Sequence, residues 1–596
     1  MIGCMTRTSF AMAVAAAWLL APGVSTVAGQ QAQQEDSKLE AYFREFLEEG
    51  FRQRPTEATA LGDHRFDDKL DDLSARARAG WVTHTRKALE DLPKRVEPEK
   101  LSPAGKIDFA ILRDELVRDL WLAENTRRYE EDPRVYNGYI NDSVYALLTQ
   151  STLPHQTNVA NAVARMKQIP KVVAAARENL GNPPRVHTET AIRQNRGAIA
   201  FYERDLFELA GETKQSEDLK AAARPVVECL KQYQQFLEKD LLPRANGPWR
   251  LGQEKFARKL EMVLDAGLSA VDVLAMADSE FARVEREMYV ISRQLWSRYF
   301  PKRALPPDDA EGRRATIEQV LRQVAQDHGK PDDLARDARA TVAAIRKFIA
   351  ERDVLRLPEP DRCQVIEMPE FQRGNATAYM NSAPPLDPKA ASFYAVSPPP
   401  KDWDAGRVKT LLEEYNRHML QILTIHEAYP GHYVQLEYSN RNPSLIRKVL
   451  GSGVYIEGWA VYTEQTMLDQ GYGEGDLPLR LTQLKFYLRA VANAILDHKM
   501  HCTGMTDDEA LDLLMRRSFQ SEGEARLKVI RAKQSSCQLS TYFVGRMAMY
   551  RLRQQIQREL GDRFELGRYH EAVLEQGSVP VKYLPDLVRQ RLRQPR

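Results

Sequence analysis

The sequence predicts a mainly α-helical protein with at most a small β element, and three observations carry that prediction. Apolar residues recur at three- and four-residue steps through most of the 596 residues. No Gly/Ser/Pro-rich linker divides the chain, so one large helical unit is expected although the length alone would allow several domains. Only between Cys363 and Val396 does the pattern change, to short apolar runs broken by prolines.

In chain order, the first element is a leader. Arg7 precedes an apolar run from Phe10 to Ala21, and Thr26-Val27-Ala28-Gly29 offers a cleavage site, the layout of a secretory signal peptide over residues 1–29. Cys4 stands before the apolar run, not after it as in a lipoprotein leader. The mature chain, 30–596, is expected as a single helical module, open to division into two lobes, periplasmic or secreted, with no membrane-spanning stretch.

Helical spacing then runs from about Leu39 to Phe51, Ile107 to Leu122, Val159 to Leu180, Ala191 to Leu209, Leu219 to Leu241, Ser269 to Tyr299, Ala315 to Gln326 and Asp332 to Glu351. Gln364 to Met368 reads as a short strand, and the prolines at 384–385 and 398–400 mark irregular chain. Phe371 to Tyr379 and Ala391 to Val396 read either as segments lining a cleft or as ordinary connections.

The next helix ends in the most informative residues of the chain. Val408, Leu411, Leu412, Tyr415, Met419, Ile422 and Leu423 form one apolar stripe, and His426 falls next on it, within Thr424-Ile425-His426-Glu427-Ala428-Tyr429-Pro430-Gly431-His432. Glu457 follows in Ile456-Glu457-Gly458-Trp459-Ala460. Two imidazoles and a carboxylate are the ligands that hold catalytic zinc with a position left open, and a non-ligand Glu beside the first His is the usual general base. His426, His432 and Glu457 are therefore the candidate metal ligands, Zn2+ the candidate cofactor, and Glu427 the candidate base.

The spacing is unusual, because residues six apart stand about 240° apart around an unbroken helix. Pro430-Gly431 offers a resolution. Proline removes a donor and clashes with the preceding turn, and glycine opens dihedrals closed to other residues, so the helix should kink or end there and bulge His432 back beside His426.

A further helix, about Val454 to Leu468, starts near Ser452 or Gly453 and places Glu464 on the face of Glu457. Glu464 either backs a ligating histidine or is a plain surface glutamate. From about Leu481 to His501, Arg489, Asn493, Asp497 and His501 form a polar stripe at four-residue steps. It faces either solvent or a cleft. In a cleft, Arg489 would bind a substrate carboxylate in bidentate fashion, with Arg531 and Arg546 as subordinate candidates.

Composition excludes some classes. Lysine and arginine number 85 against 83 acidic residues, so nothing points to nucleic acid, and basic clusters such as Arg551-Leu552-Arg553 read as solvated faces. Four cysteines remain after the leader: Cys229, Cys363, Cys502 and Cys537. They make no disulfide framework in so long a chain; Cys502 with Cys537 is the one pairing to weigh against free thiols.

These motifs resemble the bacterial domain-of-unknown-function 885 family, whose pattern of His-Glu-x-x-Pro-Gly-His, Glu-Gly-Trp-Ala, a later His and Tyr-x-x-Gly is met here by His426 to His432, Glu457 to Ala460, His501, and Tyr542 to Gly545. Arg54 to Gly62 and Leu251 to Phe256 look like its earlier landmarks. The resemblance implies a large helical zincin-like metallopeptidase fold with a deep cleft, similar in plan to the carboxypeptidase Taq and angiotensin-converting-enzyme groups. It also implies His501 and Tyr542 as donors to the oxyanion of the reaction.

The leading expectation is a secreted zinc-dependent hydrolase of short peptides, a metallopeptidase of carboxypeptidase or dipeptidase type, with peptide as its partner. A zinc hydrolase of another amide, such as a cell-wall amide, uses the same chemistry. The third reading is a non-catalytic binding protein stabilised by zinc, against which stands Glu427, a non-ligand with no structural duty.

Overall fold

Helix makes up 73% and strand 3% of the structure, as the apolar spacing predicts. The computed structural model describes residues 22–368, 378–400 and 403–595. The expected leader lies outside the described residues up to position 21, and from Pro22 the chain belongs to the helix Pro22–Gln53. Among the described residues no helix is long and apolar enough to cross a membrane.

Buried apolar side chains gather in two cores. The larger joins Leu39, Phe43, Leu92 and Leu112 to residues from Phe256 to Val588. The smaller packs Tyr136, Ile140, Met166, Tyr202, Leu230 and Leu237, so the helices between Arg134 and Arg244 form a lobe around their own centre. The lobes are tied by Arg134, whose Nη2 donates to the Gln534 carbonyl at 2.8 Å, and by Gln150, whose Nε2 donates to Asn381 Oδ1 at 2.6 Å. Between them lies a cavity of about 1580 Å3, bordered by Trp81, Tyr129, Trp249, Arg250 and His501.

Local signals explain where two expected helices divide. Val159 to Leu180 is not one helix but two, His155–Met166 and Ile169–Asn179, with Pro170 in the first turn of the second, where its missing N–H costs nothing. The stripe from Val408 to His426 is also split. Asn416 accepts from the N–H groups of His418 and Met419, both at 3.1 Å, and so caps a fresh start.

Six helices build the functional region: α1 (Arg417–Glu427), α2 (His432–Asn440), α3 (Gly453–Asp469), α4 (Leu477–Cys502), α5 (Glu522–Gln534) and α6 (Thr541–Leu560). The altered pattern before them folds as a three-stranded sheet, β1 (Cys363–Glu367), β2 (Ala378–Asn381) and β3 (Ser392–Val396), in the order β1-β3-β2. β1 runs parallel to β3 and β2 antiparallel to it, which leaves β2 at an edge beside α1. Of the segment Phe371 to Tyr379, residues 371–377 lie outside the described residues. Cys229, Cys363, Cys502 and Cys537 are all free, so the weighed Cys502–Cys537 pairing does not form.

The β2–β3 connection is clamped by His64, whose ring nitrogens lie 2.9 Å from Asp67 and 3.3 Å from Asp387. The Asp67 hydrogen bond, helped by Asp387, raises the pKa of His64 despite partial burial. The clamp therefore contributes fully below the unfolded value of about 6.5 and fades as pH rises through the higher folded value. His64→Gln should lower the melting temperature clearly at about pH 5.5 and much less at about pH 8.5, as thermal unfolding at the two pH values will measure.

Candidate metal centre

Helix α1 ends at Glu427, and a four-residue turn separates it from α2, which begins at His432. Of the two outcomes that Pro430-Gly431 allows, a kink or an end, the structure shows the end: the helix stops, and a second one starts at His432. Glycine at 431 is required for space. A Cβ there would lie 1.9 Å from the His426 carbonyl oxygen and 2.3 Å from that of Ile425. Trp459 on α3 fixes the turn, donating Nε1–H to the Pro430 carbonyl at 2.8 Å. Tyr429 and Tyr433 anchor its other side through hydroxyls that donate to Asp361 at 2.8 Å. The result brings the His426 and His432 rings to 4.8 Å between centroids.

Glu457 reaches the pair from α3, whose Ser452 cap accepts from the Tyr455 N–H. Its placement depends on two glycines. A Cβ on Gly458 would lie 2.4 Å from the Gly545 Cα, and one on Gly545 would lie 2.0 Å from the Val454 carbonyl. Helices α3 and α6 thus touch backbone to backbone, which sets Glu457 beside Tyr542. Within the resulting centre one ligating atom from each of His426, His432 and Glu457 lies within 4.8 Å of the others, and His432 Nε2 is 3.4 Å from Glu457 Oε2.

The surroundings divide the labour among these groups. Glu464, fully buried, lies 2.7 Å from His426 Nδ1, which leaves Nε2 as the free nitrogen of that ring. The contact has ion-pair geometry, yet burial pushes His426 down to about 3 and Glu464 well above the carboxylate range, so the pair rests as a neutral hydrogen bond. A cation at Nε2 would draw Glu464 toward the carboxylate form, the usual partnership behind a ligating histidine. For His432, burial works downward, but the hydrogen bond and charge of Glu457 and the charge of Glu427 raise its pKa. Burial likewise opposes ionisation of Glu457, and His432, His426 and the Tyr542 phenol together hold it below the usual range. Among the described residues, His432 Nδ1 is buried without a hydrogen-bond partner.

Glu427 stays outside this set. Its Oε2 accepts the backbone N–H of Met380 on β2 at 3.0 Å, and burial pushes its pKa up to about 7. A carboxyl poised near neutrality and fixed by one backbone donor suits proton transfer in both directions.

The remaining predicted residues fall in three places. Tyr542 is at the centre, its hydroxyl oxygen accepting from Arg531 Nη2 at 3.2 Å and Gln538 Nε2 at 3.3 Å. Arg489 stands behind it, donating to Glu524 Oε2 at 2.9 Å over the Phe486 ring, which itself meets His426 edge-on. Arg546 is buried in structural contacts, donating to Gln465 Oε1 at 2.5 Å and stacked between Tyr487 and Tyr550.

His501 lies elsewhere, a correction to the role the resemblance implies. Its Nε2 faces the carbonyls of Ala532 at 3.0 Å and Ser535 at 2.9 Å, and Nδ1 accepts the Leu251 N–H. Asp497, one turn earlier, accepts the N–H groups of Cys537 at 3.0 Å and Ser540 at 3.2 Å. Over Asp497 and His501 the polar stripe of α4 braces the chain between α5 and α6, which presents Arg531 and Tyr542. Spacing gave no signal for two further participants, the Met380 N–H and the α5 residue Lys528.

Fold and centre together define a helical protein with a His-His-Glu cluster and an adjacent unligated glutamate. The chain belongs to the family described as "Bacterial protein of unknown function (DUF885)", whose model matches residues 55–588. It is similar to a solved structure described as a "putative lipoprotein of unknown function" from Shewanella oneidensis, at 30% identity and TM-score 0.78 over 92% of this chain and 99% of that one. A structure described as a "putative lipoprotein" from Colwellia psychrerythraea shares the fold, at 17% identity and TM-score 0.74 over 94% and 99% of the two chains. No curated protein matches the chain.

The glycine contact yields a direct test. Gly545→Ala should destabilise the protein by about 1–3 kcal/mol, because backbone cannot move aside as a side-chain tip would. Gly453→Ala, whose Cβ meets nothing within 4 Å, should be neutral or slightly stabilising; chemical denaturation of both variants measures the contrast.

Proposed function

We propose that the protein is an exported zinc-dependent peptidase acting on short peptides, with His426, His432 and Glu457 as metal ligands and Glu427 as general base. The observation that carries this reading is the convergence of three metal-type donors within 4.8 Å beside a carboxyl that is held by a backbone N–H and, among the described residues, belongs to no ion pair. The donors fit the metal: two imidazoles and one carboxylate are ligands of catalytic zinc that leave a position open. Glu464 already holds the rear nitrogen of His426, and the buried Nδ1 of His432 is a polar atom to which the described residues offer no hydrogen bond.

When bound, the metal supplies Lewis acidity, polarising a carbonyl and acidifying water. Glu427 takes the proton of the attacking water and returns it to the leaving amine. The Met380 N–H keeps the accepting oxygen in place through both transfers. Arg531 and Gln538 occupy the lone pairs of the Tyr542 hydroxyl, which directs its proton toward Glu457 or toward a substrate oxyanion. Burial raises the Tyr542 pKa, so the phenol keeps that proton. The edge of β2 offers an extended peptide a strand to pair with, in the manner of a zincin-like cleft. The lipoprotein description of the Shewanella relative, with the leader-like N-terminus, supports a place outside the cytoplasm.

The test is zinc content and hydrolysis of a mixed short-peptide pool by wild type and Glu427→Gln. Both proteins should hold about one zinc, and the substitution should cut turnover by at least about a hundredfold. Equal turnover by the two, or no zinc in either, contradicts the reading.

A further inference from the structure

Helix α5 carries Glu524, Lys528 and Arg531 at four- and three-residue steps, hence along one face, and that face borders the candidate centre. At one end Glu524 pairs with Arg489 at 2.9 Å and accepts the Tyr415 hydroxyl at 2.7 Å. At the other, Arg531 reaches the Tyr542 hydroxyl. Lys528, between them, is only 7% exposed, while its neighbour Leu527 is 60% exposed. This inverts the ordinary amphipathic helix, in which the leucine turns inward and the lysine outward.

Among the described residues the Lys528 ammonium makes no hydrogen bond and no ion pair. The charges that act on it are Arg489, Arg531, Glu524 and the metal-ligand candidate Glu457. Glu524 is already engaged by Arg489, and Glu414 by Lys485 at 2.9 Å. Lys528 thus has no carboxylate in contact among the described residues: Glu457 acts on it only as a nearby charge, and Arg531, at the outer end, is exposed to solvent. A buried cation without a partner is costly, and a fold that retains one beside a candidate active centre leaves room for an anion brought from outside. Burial, with Arg489 and Arg531, holds the Lys528 pKa well below the usual lysine range against the opposing charges of Glu524 and Glu457.

We propose that Lys528, with Arg531 at its outer side, is the anion subsite of the centre and receives the free C-terminal carboxylate of a short peptide, which makes the protein a carboxypeptidase or dipeptidase. The role assigned from sequence to Arg489 passes to Lys528, because Glu524 already neutralises Arg489. The subsite lies beside Tyr542 and Glu457, so a carboxylate held there sets the terminal peptide bond next to the ligand cluster. This inference rests on the peptidase reading and deepens it.

The test uses the zinc-loaded full chain. Binding of Ala-Ala-Phe and of its C-terminal amide to Glu427→Gln is measured by calorimetry, with and without Lys528→Met, and Lys528→Gln serves as a second replacement should the first unfold. The free acid should bind about tenfold or more tighter than the amide when Lys528 is present, and the preference should vanish in its absence. Equal affinity of acid and amide with Lys528 present, a preference that survives both replacements, or binding of neither peptide overturns the subsite. Hydrolysis by wild type separates the two levels. Cleavage of acid and amide at equal rates overturns the subsite and spares the peptidase reading, whereas preferential binding of the acid with no cleavage of either does the reverse.

Discussion

The centre depends on the interruption of one helix. Two histidines six residues apart cannot share a face of a continuous helix, so everything here follows from the stop at Glu427 and the restart at His432. Gly431 permits it, since any side chain would enter the carbonyls of Ile425 and His426, and Trp459 holds it from the facing helix. The same tryptophan sits two residues after Glu457. One short stretch of α3 thus delivers the third member of the cluster and secures the turn that delivers the second.

Backbone contact continues the chain of dependence. Gly458 and Gly545 let α3 and α6 approach closely enough for Tyr542 to bond Glu457. Asp497 and His501 brace the link between α5 and α6. Glu464 and Lys528 are buried and Glu427 is half-buried, and ionisable groups withdrawn from water in this way gather where chemistry or binding requires them. Their arrangement around one point, a neutral pair behind His426, a near-neutral carboxyl in front and, to the side, a buried lysine without an ion pair among the described residues, gives the site its polarity.

Much of this was legible in the sequence, and the limits have physical causes. Helical spacing marked the long helices because their apolar stripes are continuous, and it missed the breaks at Lys167-Gln168 and Asn416 because caps and first-turn prolines act locally without disturbing the stripe. That His426, His432 and Glu457 come together was readable from residue type and order. Glu464 stayed ambiguous, since a shared face does not say what lies opposite, and the structure resolves it as the partner of His426. His501 was misassigned because the carbonyls that claim it come from Ala532 and Ser535, far along the chain. Lys528 was invisible for the opposite reason: periodicity assigns lysines outward, and here the exposed neighbour is a leucine.

X-ray absorption at the zinc edge of the purified full chain tests the central claim most directly. It should show one zinc with two imidazole nitrogens and a carboxylate oxygen at about 2.0–2.2 Å, and loss of one imidazole in His432→Ala. A protein that takes up no zinc, or a zinc shell unchanged by that substitution, would contradict the convergence of His426, His432 and Glu457 on one metal.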